Sequence, residues 1–432
     1  MQPQIHDLVG VGFGPSNIAL AVALDEQRAP GRRLDALFIE RQDAFAWHPG
    51  MLLDQTHMQI SFIKDLATLR NPTSRFSFLN YLHEKRRLAD FINLKTFYPS
   101  RLEFNDYLAW AAAQFDDCCA YGEEVIEVLP ERAAHDRDVI DALRVRARGA
   151  DGQVRDRLAR HLVVSPGGSA NVPEVFRPLH GDARVFHSSR YRSGIARLPR
   201  ARKVAVIGAG QSAAEIFLDL QGRGEDMQVD LVMRARAIKP SDDSPFVNEI
   251  FNAEFIDDVY SASDVERSQM LREFWHTNYA CPDLELIQQI YKVLYEQKVH
   301  GNTRLRLLRR HEVQAVTADR DGLHLRLRQL HDGQATLERY DAVVLATGYE
   351  REMHRGLLAP LAPWLGEFAV DRHYRVRGPA GFRPAVFLQG ACEDTHGLSD
   401  TLLSVTAVRT GEICDALLKA HHHPSPQTAG AL

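Results

Sequence analysis

Two short glycine-rich stretches hold residues whose types and spacing suggest chemistry. The first contains Gly10, Gly12 and Gly14, followed by Pro15 and Asn17, and comes directly after the apolar run around Leu8 and Val9. The second contains Gly208, Gly210, Gln211 and Ser212 after the β-branched run from Lys203 to Ile207. In a dinucleotide fold the first glycine permits a tight turn, the second lets backbone approach a pyrophosphate, and the following helix offers free N–H groups to the phosphates. Pro15 replaces a third glycine, which a first helical turn tolerates because its N–H has no helical partner. Leu37-Phe-Ile-Glu40 ends in an acid suited to a ribose hydroxyl, so FAD is expected at the first turn. The run from Val229 ends in Arg234 where an NAD site usually has an acid. Its guanidinium can take a 2′-phosphate in bidentate fashion, which favours NADPH over NADH; the alternative is a plain surface arginine.

These turns must be held by strand, turn and helix, a pattern the chain contains twice. Its 432 residues exceed the size at which one core usually keeps growing. The expected fold class is α/β, with two Rossmann-like dinucleotide-binding domains and a small substrate-binding region between them. The expected boundaries are 1–198 for a first FAD-binding segment and 199–340 for an NADPH-binding domain with a substrate-contacting insert. Residues 341–420 are expected to return to the FAD domain and supply a substrate-site helix, and 421–432 to form a flexible tail. A helix is predicted from Phe104 to Gln114, strands around Val125 and Leu143, and a strand from Leu158 returning to the first sheet. Asp341 to Tyr349 reads as a buried strand where the chain crosses back into the FAD domain.

Composition narrows the partners. A net charge of -5 supplies no positive field for nucleic acid or an anionic membrane. No apolar run reaches the ~18 residues of a membrane span, and the start lacks the features of a signal peptide, so a cytoplasmic location is expected. The five cysteines form no CxxC pair and no metal-ligand spacing, which fits a reducing compartment and predicts no metal. Two dinucleotides without a redox cysteine pair point to a reduced flavin that meets oxygen or an external acceptor.

Further motifs carry a resemblance. Gly10-Val-Gly-Phe-Gly-Pro-Ser-Asn17, the run from Met58 to Thr73, Pro245 to Phe251, Thr277-Asn-Tyr279, Ala346-Thr-Gly-Tyr349 and His396 to Ser404 occur in order between residue 7 and about 415. Together they resemble the N-hydroxylating flavin monooxygenases, most closely the L-ornithine N5-monooxygenases of siderophore biosynthesis. That resemblance implies that NADPH reduces FAD and that oxygen adds at the flavin C4a to give a hydroperoxide. The neutral side-chain amine of L-ornithine then takes the distal oxygen, and the oxidised nicotinamide stays bound. It also implies a homo-oligomer, tetramer or dimer.

Residue by residue, the resemblance places Gln59 beside the flavin, Lys64 and Asn248 on the amino-acid carboxylate, and Asn278 near both substrate and nicotinamide. Ser404 falls close to the reacting amine, with Ser399 a weaker candidate, and Leu402 contributes backbone. Gln211, Ser212, Arg234 and Tyr279 match NADPH contacts, and the stretch from Asp400 to Ser404 is expected to present a helix end to the flavin. The sequence departs from the pattern at Ala280-Cys-Pro-Asp283, where a small aliphatic run is expected; Cys281 reads as a buried, inert thiol. A lysine N6-hydroxylase or a diamine hydroxylase differs by little, since one methylene is worth only about 1–3 kcal/mol. Lys64 argues against a diamine, which has no carboxylate to hold. A dinucleotide sensor without catalysis is the alternative from a different class.

Overall fold

The computed structural model describes residues 4–27 and 34–422. Its first sheet grows outward from the strand Ile5–Val11, whose Leu8, Val9 and Val11 are buried on both faces, as a central parallel strand requires. Ala36–Glu40 and Val154–Val164 flank it in parallel, and the sheet then continues antiparallel through Ile140–Gly149 to Glu123–Arg132. A second, five-stranded sheet is parallel throughout: Leu305–Arg309, Gln228–Met233, Lys203–Ile207, Ala342–Leu345 and Val185–His187 in spatial order. A three-stranded antiparallel sheet from residues 311 to 340 packs on it through Leu323, Leu325 and Leu327.

Both glycine turns form as expected. The helix Pro15–Glu26 starts with proline in its first turn behind Gly14, and Gln211–Gln221 starts behind Gly210. Two glycines are dictated by backbone crowding. Gly12 has φ +82°, and a Cβ there would lie 2.6 Å from the Ser165 carbonyl; at Gly208, φ +146°, it would lie 2.2 Å from the Ala346 carbonyl. In each domain the turn is therefore closed by the end of the parallel neighbouring strand, and only glycine leaves room.

The expected boundaries at 198 and 340 do not coincide with the exchanges between sheets. Val185–His187 already belongs to the second sheet, and Ala342–Leu345 lies inside it, hydrogen-bonded to Lys203–Ile207. The return to the first sheet is made by Val386–Leu388, which pairs with Val154–Val164. Ala342–Leu345 is buried throughout, so its apolar run announces a buried strand but carries no information about which sheet accepts it. The last helix, Thr406–His422, packs along Pro15–Glu26 and buries Ile413, Cys414 and Leu417. It includes His421 and His422 of the expected tail; the remainder of that tail lies outside the described residues.

Candidate active site

A single cavity of 2490 Å³ runs between the two glycine turns and down to the stretch before the last helix. Pockets for one drug-sized ligand fall at about 300–1,000 Å³, so this one accommodates more than one large ligand. Gly12, Gly14, Pro15 and Glu40 line its first end, Gln211 and Ser212 its second, and Gln59, Lys64, Asn248, Asn278, Leu402 and Ser404 the space between.

The residues around the first turn fit a dinucleotide. Glu40 ends its strand almost wholly buried, with Oε2 accepting from the Phe13 N–H at 2.8 Å and Oε1 from the Gln42 N–H at 2.9 Å. Each oxygen keeps a second lone pair for a ribose hydroxyl. Gly10 and Asn17 do not line the cavity. A Cβ on Gly10 would strike the Phe38 ring, and the Asn17 amide donates to the carbonyls of Val11 and Gly12 at 3.2 and 2.7 Å. Asn17 thus shapes the turn from behind. Its Oδ1 accepts from Gln389 Nε2 at 3.1 Å, and Gln389, whose Oε1 is buried without a partner, also lines the cavity. Ser404 is buried with an unpartnered hydroxyl and also lines it. Two orphaned polar atoms on one wall are what a bound polar group would satisfy.

The central segment is held by backbone and by one acid. Met58 N–H donates to the Pro99 carbonyl and Phe62 N–H to the Phe97 carbonyl, both at 2.9 Å. Phe62 packs against Phe78, Phe91 and Phe97. Next to Lys64, Asp65 accepts from the backbone N–H groups of Ala67, Thr68 and Phe78, and burial still pushes its carboxyl above the usual range. Lys64 itself is half-buried and has no carboxylate partner among the described residues. Burial lowers its ammonium pKa, as expected for a cation waiting for an anion.

At the second turn Gly208 and Gly210 shape the backbone and do not line the cavity, whereas Gln211 does so with its side-chain amide already engaged by Glu215 and Asp283. Glu215 is buried and paired with Arg101 of the first domain through two contacts of 2.8 Å; burial nonetheless keeps its carboxyl above the ordinary range. Arg234 lies exposed beyond its strand, without an ion-pair partner among the described residues and outside the cavity lining. Tyr279 turns away from the cavity: its hydroxyl donates to Glu393, and its ring stacks on Trp275 at 4.3 Å. Cys281 is buried and its thiol pKa is raised, consistent with an inert side chain.

Two imidazoles form part of the wall. His48 takes a left-handed conformation with φ 47°, and burial, with the nearby Arg101 and Arg351, pushes its pKa down to about 4. His187 is likewise lowered by burial, and Tyr349 meets both rings edge-on. Both are neutral at physiological pH, so they shape the cavity without adding charge.

The glycine turns, the unpaired lysine and the orphaned hydroxyl define a site that can be compared with others. The family model for L-lysine 6-monooxygenase/L-ornithine 5-monooxygenase matches residues 4–351. The chain belongs to this family. Within it, an L-ornithine N(5)-monooxygenase of Pseudomonas aeruginosa is 49% identical over 429 residues, covering 98% of this chain and 96% of the relative. The solved ornithine hydroxylase PvdA from Pseudomonas aeruginosa superposes with a TM-score of 0.93 at 50% identity, over 96% of this chain and 100% of that one. The ornithine N-hydroxylase KtzI of Kutzneria sp. 744, described with reduced FAD, NADP+ and L-ornithine, superposes with a TM-score of 0.90 at 36% identity, over 96% of this chain and 99% of that one. The lysine/ornithine monooxygenase fold thus spans the described chain, including the return segment beyond residue 351.

Sequence reasoning missed Gln389, Arg101, Glu215 and Arg409, all of which line the cavity. None sits in a glycine turn. Arg409 had one available signal, a basic residue one turn into a helix among the small or apolar residues Ala407, Thr410 and Ile413.

Proposed function

We propose that this chain hydroxylates the side-chain amine of L-ornithine with electrons from NADPH passed through FAD, giving N5-hydroxyornithine. The observation that carries this reading is the convergence of both dinucleotide turns, the unpaired Lys64 and the orphaned Ser404 hydroxyl on one cavity. FAD held at the first glycine turn would supply the redox chemistry that links NADPH and O₂ to the amine, with one oxygen atom ending in the product and the other in water. The protein contributes binding, orientation and exclusion of water.

In this reading Lys64 and Asn248 hold the substrate α-carboxylate. Asn248 Nδ2 already donates to the Asp243 carbonyl at 2.8 Å, which fixes the amide plane and leaves one N–H for the ligand. The Ser404 hydroxyl, Asn278 and the Leu402 backbone hold the amine end, and Gln59 faces the flavin. A carboxylate clamp favours amino acids over diamines, whose second ammonium would face Lys64. The choice of ornithine over lysine is supported by relatives 49% and 50% identical to this chain that are named L-ornithine N(5)-monooxygenase. An N-hydroxylated amine is the precursor of a hydroxamate, which fits siderophore biosynthesis. Offering ornithine, lysine, putrescine and arginine separately and assaying hydroxylamine product tests the reading: ornithine should be turned over best, and equal turnover of putrescine would refute carboxylate anchoring.

Two outcomes follow from the charges. The reacting amine is a lysine-like group with a pKa near ~10.4, and only its neutral form accepts oxygen, so kcat should climb from neutral to alkaline pH. Lys64 binds the carboxylate only when protonated, and its lowered pKa means that the ammonium is lost earlier than in an ordinary lysine as pH rises. The ornithine KM should therefore increase at the alkaline end while kcat still rises, and a flat kcat profile would refute the neutral-amine requirement. Arg234→Ser should reduce the preference for NADPH over NADH on the order of tenfold, read as the ratio of kcat/KM values for the two coenzymes. An unchanged ratio would reassign Arg234 to the surface.

A further inference from the structure

Asp283 stands where the helix Leu284–Val299 begins, at the N-cap position that aspartate commonly uses to accept from the first-turn N–H groups. Its carboxylate makes no such bond. One oxygen accepts from Gln59 Nε2 at 2.9 Å, and the other accepts from Gln211 Nε2 at 2.8 Å. The Asp283 backbone N–H donates in turn to Gln211 Oε1 at 2.9 Å. Gln59 comes from the central segment of the first domain and Gln211 opens the helix of the second glycine turn, so a single carboxylate bridges the two.

Both N–H groups of Gln211 are taken up by this arrangement. Its second N–H donates to Glu215 Oε1 at 2.8 Å, and Glu215 is held by Arg101. With both N–H groups and the carbonyl engaged, the Gln211 amide cannot turn to a ligand without breaking bonds to two carboxylates. Gln59, by contrast, keeps one N–H and its carbonyl for the cavity, in an orientation set by Asp283. Asp283 thus gives up a helix cap for a tie between Gln59 and Gln211.

We propose that Asp283 is a positioning residue which, by accepting from Gln59 and Gln211 together, couples occupancy of the second glycine turn to the orientation of the glutamine beside the flavin. The proposal rests on the hydroxylase reading for the place of Gln59 beside the flavin and for the effect on product. An asparagine at 283 keeps one acceptor oxygen and sets an NH₂ group against a glutamine NH₂, so it breaks one of the two bonds; alanine breaks both side-chain bonds.

The test uses the FAD-loaded full chain and two readouts: the NADP⁺ dissociation constant from flavin fluorescence, and the fraction of NADPH electrons recovered as hydrogen peroxide with ornithine saturating. Asp283→Ala is expected to weaken NADP⁺ binding on the order of tenfold and to raise the peroxide fraction, with Asp283→Asn intermediate. In a double-mutant cycle, Asp283→Ala combined with Gln211→Ala should be no worse for NADP⁺ than the poorer single variant. Wild-type NADP⁺ affinity in Asp283→Ala, or additive losses in the cycle, would overturn the proposal. So would equal losses of FAD and thermal stability in the Ala and Asn variants, which would make Asp283 a fold support. If ornithine proved not to be the substrate, the NADP⁺ titration and the cycle would still decide the role of Asp283.

Discussion

Replacing Lys64 with alanine should raise the ornithine KM by roughly 10- to 150-fold, the equivalent of about 1.5–3 kcal/mol for a lost hydrogen bond between charged groups. NADPH oxidation without ornithine should change far less, because the role proposed for Lys64 is to hold the substrate carboxylate, and it lies in neither glycine turn. Stability should move the other way or remain unchanged. In the ligand-free protein Lys64 is a half-buried cation without a carboxylate among the described residues, and burial already lowers its pKa. Removing it relieves an unfavourable desolvation that only the substrate offsets. Steady-state kinetics and a thermal melt of the same preparation check both signs. Parallel loss of ornithine turnover, NADPH oxidation and thermal stability would show instead that Lys64 supports the fold.

Arg409→Met should be the most destabilising single change near the site. Arg409 and Asp400 are 2% and 0% exposed. The guanidinium donates to the Asp400 carbonyl and to Ser16 Oγ at 2.9 Å, and its Nη1 lies 3.3 Å from Asp400 Oδ1. Asp400 Oδ2 accepts from the Cys392 N–H at 2.7 Å. Arg409 therefore ties the stretch that carries Leu402 and Ser404 to the start of the first glycine-turn helix. Methionine fills much of the volume but leaves the Asp400 carboxylate buried without its cation, a change that costs about 3–5 kcal/mol. The shift should be measured by urea denaturation of the FAD-bound protein. Arg409→Met combined with Asp400→Asn should recover part of the loss, because no charge then remains to be buried. A single variant within about 1 kcal/mol of wild type would mean that the cavity opens to hydrate Asp400.

The parts of the site legible in the sequence were those in which backbone geometry restricts residue type. Gly12 and Gly208 had to be glycine because a carbonyl of the neighbouring strand occupies the space of a side chain. Glu40 was legible because the strand of a dinucleotide fold ends at the ribose. Side-chain partnerships were not. Asn17 and Tyr279 were read as site residues, yet one hydrogen-bonds behind the turn and the other donates to Glu393. Gln211 lies at its expected place in the cavity, but its amide belongs to Glu215 and Asp283.

The sequence by itself determined two strand–turn–helix units, their order along the chain and an arginine in place of an acid after the second. These are local properties, set by glycine φ angles, helix starts and runs of buried β-branched residues within a few positions of one another. Tertiary structure decided that Ala342–Leu345 joins the second sheet and that Val386–Leu388 returns to the first. It also decided which buried polar atoms of cavity-lining residues are left without a partner. Partners such as Asp283 and Gln59, or Arg409 and Ser16, are 224 and 393 residues apart. No periodicity encodes such a pair, because each member is chosen by the space the other leaves once both domains have packed.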